Sequence, residues 1–274
     1  MKLKNINSSV LTTNTGAPQG CVLSPILFTM YTNDCQINNT TLQLNKFADD
    51  SSILALLRSE KDETIYRNYI NEFTQWCEDH NLLLNVTKTK EMQIDFRQKK
   101  DPLLPIKIKD QDVVVVENYK YVGVTLDDKL KWDDHAYITY KKANKRVYFL
   151  RKLKQFQIDP VLISLFYQAT IQSVLSFCII GWGGNTNENQ KHKIDSLIRR
   201  SGKLFKKSPL SFDDLFEVCC ARKIRSVDKD SSHPLFCKIV RSTRTERIQL
   251  ILAHTERYRS SFIPHSIKFL QEGR

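Results

Sequence analysis

The sequence predicts an α+β chain, with antiparallel hairpins and helices in front and mainly helices behind. Three observations carry this. Apolar and polar residues alternate on either side of a compact acidic turn near Asp49, the period of a β-hairpin. From Ser59 onward apolar residues recur every three or four positions, the period of an amphipathic helix. After Leu130 the texture changes to long helical patterns with a cationic outer face. The expected organisation is a front block over 1–116, a hairpin and helical block over 117–185, and a basic C-terminal extension over 186–274.

Each element has a local signal. Ser24-Pro25 reads as an N-cap followed by proline at the first helical position, and Ile26, Leu27, Met30 and Tyr31 follow at helical spacing. Leu42 and Leu44 (with Lys46 a possible third) alternate with polar residues. Asp49-Asp50-Ser51-Ser52 interrupts the run, which resumes over Ile53 to Leu57. Ser59 opens a helix with Ile65, Tyr66, Tyr69, Ile70, Phe73, Trp76 and Cys77 in one stripe. Strand-like runs follow at 82–86, 92–96, 106–108, 113–116 and 119–126, with Asp101-Pro102 and Pro105 as breaks. A helix is expected from Asp134 to about Phe156. A second runs from Asp159-Pro160 to Ile180, interrupted by Ser164, Gln168, Thr170, Gln172 and Ser176 and stopped by Gly181, Gly183 and Gly184. It reads as a buried bundle helix. Ile194, Leu197, Ile198 and Leu204 mark one more.

Composition narrows the classes. The chain has 274 residues, 41% hydrophobic and 26% charged, which excludes collagen, low-complexity and wholly disordered proteins and allows a sizeable core. No apolar run reaches the roughly 18 residues of a membrane span. Met1-Lys2-Leu3-Lys4-Asn5 lacks the apolar core of a secretory signal, so a nuclear or cytoplasmic protein is expected, with its seven cysteines reduced. The net charge of +12 is segregated: residues 1–136 sum to −3 and residues 137–274 to +15. A polyanionic partner for the back half follows, nucleic acid or an anionic membrane surface.

Asp49 and Asp50 are adjacent carboxylates at a hairpin tip. They read either as a solvated acidic turn or as hard oxygen ligands for Mg²⁺, whose charge relieves their repulsion. Around them stand Gly16-Ala17-Pro18-Gln19-Gly20-Cys21-Val22-Leu23-Ser24-Pro25-Ile26-Leu27-Phe28, Phe47-Ala48-Asp49-Asp50, Asn85-Val86-Thr87-Lys88-Thr89-Lys90 and Tyr119-Lys120-Tyr121-Val122-Gly123-Val124. This ordered set resembles the C-terminal part of the reverse transcriptases of non-LTR (LINE-like) retrotransposons.

The resemblance implies a partial polymerase palm, an antiparallel hairpin sheet with helices. A primer-grip hairpin, a helical thumb and a basic C-terminal extension follow it. It implies RNA-directed DNA synthesis by two-metal nucleotidyl transfer, with Mg²⁺ (or Mn²⁺) as cofactor, RNA/DNA primer-template as partner and dNTPs as the only small molecules. Asp49 would be the principal metal ligand, with Asp50 in support. Pro18, Gln19 and Gly20 would contact nucleotide and template, glycine allowing close approach. Lys88 would serve the pyrophosphate leaving group as a general acid, or else is a surface lysine at a strand end. Tyr121, Val122 and Gly123 would belong to the primer grip. Lys141, Lys142, Lys145, Arg146, Arg151 and Lys152, interleaved with Tyr140, Tyr148 and Phe149, would track the nucleic-acid backbone. A solvated helix face or a membrane-surface helix are the alternatives.

One departure matters. The family's palm uses a further carboxylate upstream, and Met1–Thr15 contains no Asp or Glu. The expectation is a truncated retroelement segment without fingers, upstream catalytic strand or endonuclease, inactive alone. The rivals are a non-catalytic nucleic-acid-binding module and a decayed fragment. The stretch from Trp132-Asp133-Asp134-His135 to Leu153 also resembles the N-terminal piece of an AlkB-type tRNA-modifying dioxygenase. The His-x-Asp pair of an iron facial triad does not occur, so that chemistry is not expected. Cys219, Cys220, His233 and Cys237 suggest a zinc knuckle, but the adjacent cysteines lack the two-residue gap, and buried thiols are expected instead. Arg257 to Pro264 resembles the end of such reading frames, with no assigned role.

Overall fold

The computed structural model describes residues 2–3, 6–7, 16, 20–37, 39–97, 103–242 and 248–271. The chain forms two compact units: Met1–Glu91 with Pro102–Val114, and Met92–Asp101 with Val115–Arg274. Helices and small two-stranded sheets make it α+β, as the sequence predicts.

In the first unit, β1 (Lys2–Leu3) and β2 (Ile6–Asn7) pair antiparallel. Helix α1 (Ser24–Tyr31) follows, then β3 (Leu42–Phe47), β4 (Asp50–Ala55), α2 (Glu60–Asp79), β5 (Lys90–Glu91), β6 (Lys107–Ile108) and β7 (Gln111–Asp112). Helix α1 takes Leu23, not Ser24, as its N-cap, so Ser24 is its first residue and Pro25 its second. Helix α2 begins as expected, with the Ser59 hydroxyl accepting from the Asp62 N–H. Its stripe buries Ile70 and Cys77 and half-buries the rest. Ile70 packs with Ile106, Ile108 and Val113 in the unit's core, and the buried Glu91 carboxylate accepts from the Ile106 N–H at 3.1 Å. The expected strand at 82–86 does not form. Asn85 instead caps a turn, its carbonyl and side-chain oxygens both accepting from the Lys88 N–H at 3.1 Å. Residues 92–96 are not a strand either.

The chain passes through β8 (Val114–Val115) into the second unit. There the strand-like run at 119–126 forms a hairpin, as the resemblance implies, from β9 (Asn118–Tyr121) and β10 (Val124–Asp127), turning at Val122-Gly123. Helix α3 (Asp133–Gln155) begins one residue before the predicted start, from Trp132 in a left-handed conformation. Asp127 fixes this entry: its carboxylate accepts from the N–H groups of Lys129, Lys131 and Trp132 at 2.9–3.2 Å.

The predicted helix from Pro160 to Ile180 is segmented into α4 (Pro160–Tyr167), a π-helical turn at Gln168–Gln172, α5 (Ser173–Leu175) and α6 (Ile179–Trp182). The polar interruptions explain this. The Thr170 and Ser173 hydroxyls donate back to the carbonyls of Phe166 and Ala169, both at 2.6 Å, and such back-bonding bends a helix. Cys178, at φ 50°, ends the run before α6. Helix α7 (Glu188–Gly202) was expected. Helix α8 (Phe212–Asp228), α9 (Glu256–Arg259) and α10 (Phe262–Gln271) were not. Ile163, Tyr167, Ile171, Leu175, Ile179 and Trp182 are all buried, so the α4–α6 segment is the bundle element the sequence predicts. Among the described residues no single helix is long and apolar enough to cross a membrane. Close packing reaches Gly184, where an added Cβ would lie 2.0 Å from the Ser260 carbonyl oxygen.

His135 ties the hairpin to this core. It is 3% exposed, its Nδ1 accepts from the Thr125 N–H at 3.1 Å, and its ring lies edge-on to Trp182 at 5.0 Å. Burial, with the charge of Lys142 adding, pushes its pKa from the ordinary 6.5 down to about 4. Between those values the unfolded chain holds more protons than the folded one. The contribution of the neutral ring is therefore complete above pH 6.5 and is lost as pH falls toward 4. The loss is on the order of 3 kcal/mol, and His265, also lowered by burial, adds in the same sense. Urea midpoints should drop from pH 7 to pH 5. In His135→Gln, which keeps an acceptor and does not titrate, the drop should shrink.

Candidate functional site

The β3–β4 ladder pairs Leu42 with Ala55 through Phe47 with Asp50, so the loop is only Ala48-Asp49. The four-residue interruption expected from the sequence is thus shorter, because Asp50 already belongs to β4. Ala48 has φ 52°, the left-handed region in which an L-residue without glycine's freedom costs about 1–2 kcal/mol. This local strain sits directly beside the acidic pair. Asp49 and Asp50 are both exposed, and neither carboxylate has a hydrogen bond or ion pair with a described residue.

The hairpin is fastened to α1 by a residue that the sequence reading treated only as part of a strand. Lys46 Nζ donates to the Cys35 carbonyl at 3.0 Å and also to that of Thr32. Helix α1 is fastened to α2 in turn: the Tyr31 hydroxyl donates to the His80 carbonyl at 2.5 Å, and Asp34 pairs with His80 Nε2 at 3.2 Å. The acidic tip and the loop-helix motif therefore share one scaffold. Gly20 is exposed at φ 82°. Pro18 and Gln19 lie outside the described residues. Lys88 is exposed in the Asn85 turn rather than at the end of a strand. Among the described residues, no three His, Cys, Asp or Glu side chains form a cluster that could hold a metal ion.

In the second unit Tyr121 ends β9, and Val122 and Gly123, at φ 44° and 88°, make the turn. Two successive positive φ values are those of a type I′ turn, which suits the strands' twist. An added Cβ on Gly123 would come 3.1 Å from the Phe177 ring, so glycine also meets a close approach.

Helix α3 buries His135, Ala136, Thr139, Ala143, Val147 and Leu150 and turns its lysines outward. Lys141, Lys142, Lys145, Arg151 and Lys152 are exposed. Lys141 lies 4.3 Å from the centre of the Tyr137 ring, and Lys152 lies 5.7 Å from that of Tyr148. Tyr137, which the sequence reading left out, was findable as the i−4 neighbour of Lys141. Tyr148 and Phe149 are exposed and edge-to-face, whereas Tyr140 packs against the core. Arg146 stands apart: it is half-buried, and its guanidinium donates to the Thr170 carbonyl within the π-helical turn.

The tail cysteines do not gather. Cys220 is buried, with burial pushing its thiol up to about 12. Cys219 is half-buried, Cys237 is exposed and donates to the Pro234 carbonyl, and His233 Nε2 meets Lys223 Nζ at 3.0 Å. All seven cysteines are free thiols.

The acidic hairpin tip and its loop-helix scaffold fall in a segment that this chain shares with known proteins. Residues 1–126 match the family described as reverse transcriptase (RNA-dependent DNA polymerase). The relatives that match are RNA-directed DNA polymerases of non-LTR retrotransposons. The chain is 26% identical over 136 residues to the RNA-directed DNA polymerase from mobile element jockey of Drosophila melanogaster, covering 47% of this chain and 15% of that protein. It is 29% identical over 126 residues to the probable RNA-directed DNA polymerase from transposon X-element of the same fly, covering 44% and 14%. For the probable RNA-directed DNA polymerase from transposon BS, also of that fly, the identity is 27% over 164 residues, covering 56% and 18%. The chain thus spans less than a fifth of the length of these relatives. Residues 132–173, on α3, α4 and the π-helical turn, match the family described as alkylated DNA repair protein alkB homolog 8, N-terminal, and include the stretch from Trp132 to Leu153 where the sequence predicts that resemblance. No solved structure matches.

Val122 offers a test of the turn. A β-branched residue at positive φ is strained, and asparagine tolerates this region. Val122→Asn should raise the urea midpoint by the equivalent of about 1 kcal/mol. A lower midpoint would mean that the contacts of the valine side chain outweigh its backbone strain.

Proposed function

We propose that this chain is a working part of a retrotransposon reverse transcriptase, contributing part of the metal and nucleotide site and a surface for the primer-template. The observation that carries the reading is the acidic pair: two exposed carboxylates without partners among the described residues, at the tip of a tight hairpin, inside the segment that matches the family. Their hard oxygens suit a divalent ion, Mg²⁺ or Mn²⁺, whose remaining ligands come from water and phosphate. When bound, such an ion supplies charge neutralisation at the phosphates and activation of the attacking oxygen. Asp49 and Asp50 hold the ligand positions, and Ala48 and the ladder keep them at the tip. Lys88 is free to meet the charge of a leaving pyrophosphate. In this reading the first unit contributes to a palm, the Val122-Gly123 turn seats the primer end, and α3 to α5 form a thumb.

The α3 face favours a second component of the reading, binding that does not depend on catalysis. Lys141 to Lys152 extends over about 16 Å of helix, which matches about five phosphates along one strand. Arg146 is excluded from this surface because its guanidinium holds the π-helical turn.

Two experiments test this. The first is primer extension on an RNA template with Mg²⁺, then Mn²⁺. Fused behind the upstream part of a jockey-type polymerase, the chain should extend the primer, and Asp49→Ala should lower that extension by orders of magnitude. Extension indifferent to Asp49 would refute the metal role. Separately, Lys141→Ala/Lys142→Ala/Lys145→Ala should weaken duplex binding and reduce the slope of log K against log salt by about 3. Asp49→Ala should leave that slope unchanged.

A further inference from the structure

A second cationic surface lies on α8, a helix that carries none of the residues given a role in catalysis or primer-template binding above. Helix α8 buries Phe212, Leu215, Phe216, Cys220, Ile224 and Val227. Its outer side, with Phe269 of α10, lines an open groove of about 810 Å³. Arg222, Arg225 and Lys229 stand along it, all exposed, and their side chains make no hydrogen bond or ion pair with a described residue. This contrasts with the cations nearby: Lys223 is held by His233, and Arg241 takes the Asp228 carboxylate. Of the two acids that flank Lys229, Asp228 is thereby paired, and Asp230 accepts from the N–H and the hydroxyl of Ser232. Glu217 is the one acid in the lining, at the far end. The floor is apolar, formed by Ala221, the exposed Val218 and the half-buried Phe269.

Three cations over seven helical residues extend about 10 Å, the axial length of about three phosphates along one strand. A duplex turns its sugar-phosphate surface outward and leaves an apolar floor uncovered. An unstacked strand has base faces to cover it. We propose that this groove binds single-stranded nucleic acid, with phosphates on Arg222, Arg225 and Lys229 and base or sugar faces against Val218 and Phe269. The inference shares with the previous reading only the class of partner, since its residues lie on a different helix from the α3 lysines.

The test uses the full chain and a short oligouridine as probe, with anisotropy followed over a salt series. Arg222→Gln/Arg225→Gln/Lys229→Gln should weaken oligouridine binding by about 10- to 100-fold and lower the salt slope by about 2, the value for three single-strand contacts. The replaced side chains are exposed, so the urea midpoint should stay at its wild-type value. Val218→Asp, which adds a charge to the floor without touching the cations, should weaken the same binding. Duplex binding should survive the groove variants and fail in the α3 variant, so the two surfaces are judged separately. Unchanged oligouridine affinity and slope in the triple variant would overturn the proposal. So would a polyglutamate peptide that binds as tightly as oligouridine and is lost in parallel, which would make the groove a site for acidic protein.

Discussion

The second unit depends on the burial of one face of α3. Ala136, Ala143 and Leu150 have no exposed surface, and Val147 has little. The two alanines keep that face thin where α3 meets its neighbours, and each turn of the helix must present it inward. Once that face is fixed, the 3.6-residue period leaves the lysines nowhere but outside. The cationic surface is thus a consequence of the core as much as of its own charge. The same constraint sets the position of the β9–β10 hairpin. Asp127 gathers three backbone N–H groups where the chain enters α3, and His135 accepts one from β10. The Val122-Gly123 turn is therefore held at a set place relative to the lysine face within the unit, whatever binds there.

Polar groups decide where the regular structure gives way. The α4–α6 segment is apolar enough to run as one long helix, yet hydroxyl back-bonding and the π-helical turn bend it. A π-helical turn displaces carbonyls from their ordinary partners, and Arg146 satisfies the one at Thr170. A guanidinium committed in this way cannot also release counterions from a phosphate. The lysines beside it lack such a commitment. Charge alone does not separate structural from interactive cations; their hydrogen bonds do.

How far the sequence reached follows the same physics. The β3–β4 hairpin, the Ser59 cap, α3 and α7 were legible because each rests on local periodicity or a local cap. The length of the acidic loop was not, since cross-strand pairing to Phe47 draws Asp50 into β4. The strand expected at 82–86 failed because Asn85 offers its own oxygens to the backbone, a turn signal hidden inside an apolar run. Helix α8 was readable in principle: Ser211 and Asp214 form a reciprocal capping box, and Phe212, Leu215, Phe216 and Cys220 follow at helical spacing. Its acidic and cationic residues masked that stripe. At the candidate site, residue types and order were legible. The tie of Lys46 to the end of α1 was not, because it joins positions more than ten residues apart.

The charge division of the chain has a mechanistic sense. An acidic pair attracts a divalent ion only where lysines do not neutralise it, and a lysine surface attracts phosphates only where carboxylates do not. Both requirements are met by keeping the carboxylates on a β-hairpin tip and the cations on helices later in the sequence. Within the helices the rule repeats locally. The acids of α3 stand in its first turn and its lysines beyond, which also suits the helix dipole. On α8, Asp228 is taken up by Arg241, so the row from Arg222 to Lys229 keeps its charge. Asp133 and Asp134 stand at a helix start and Asp228 is paired elsewhere, while Glu217 remains at the far end of the groove. The local excess of exposed cations over such acids, rather than the total of +12, defines where a polyanion can bind.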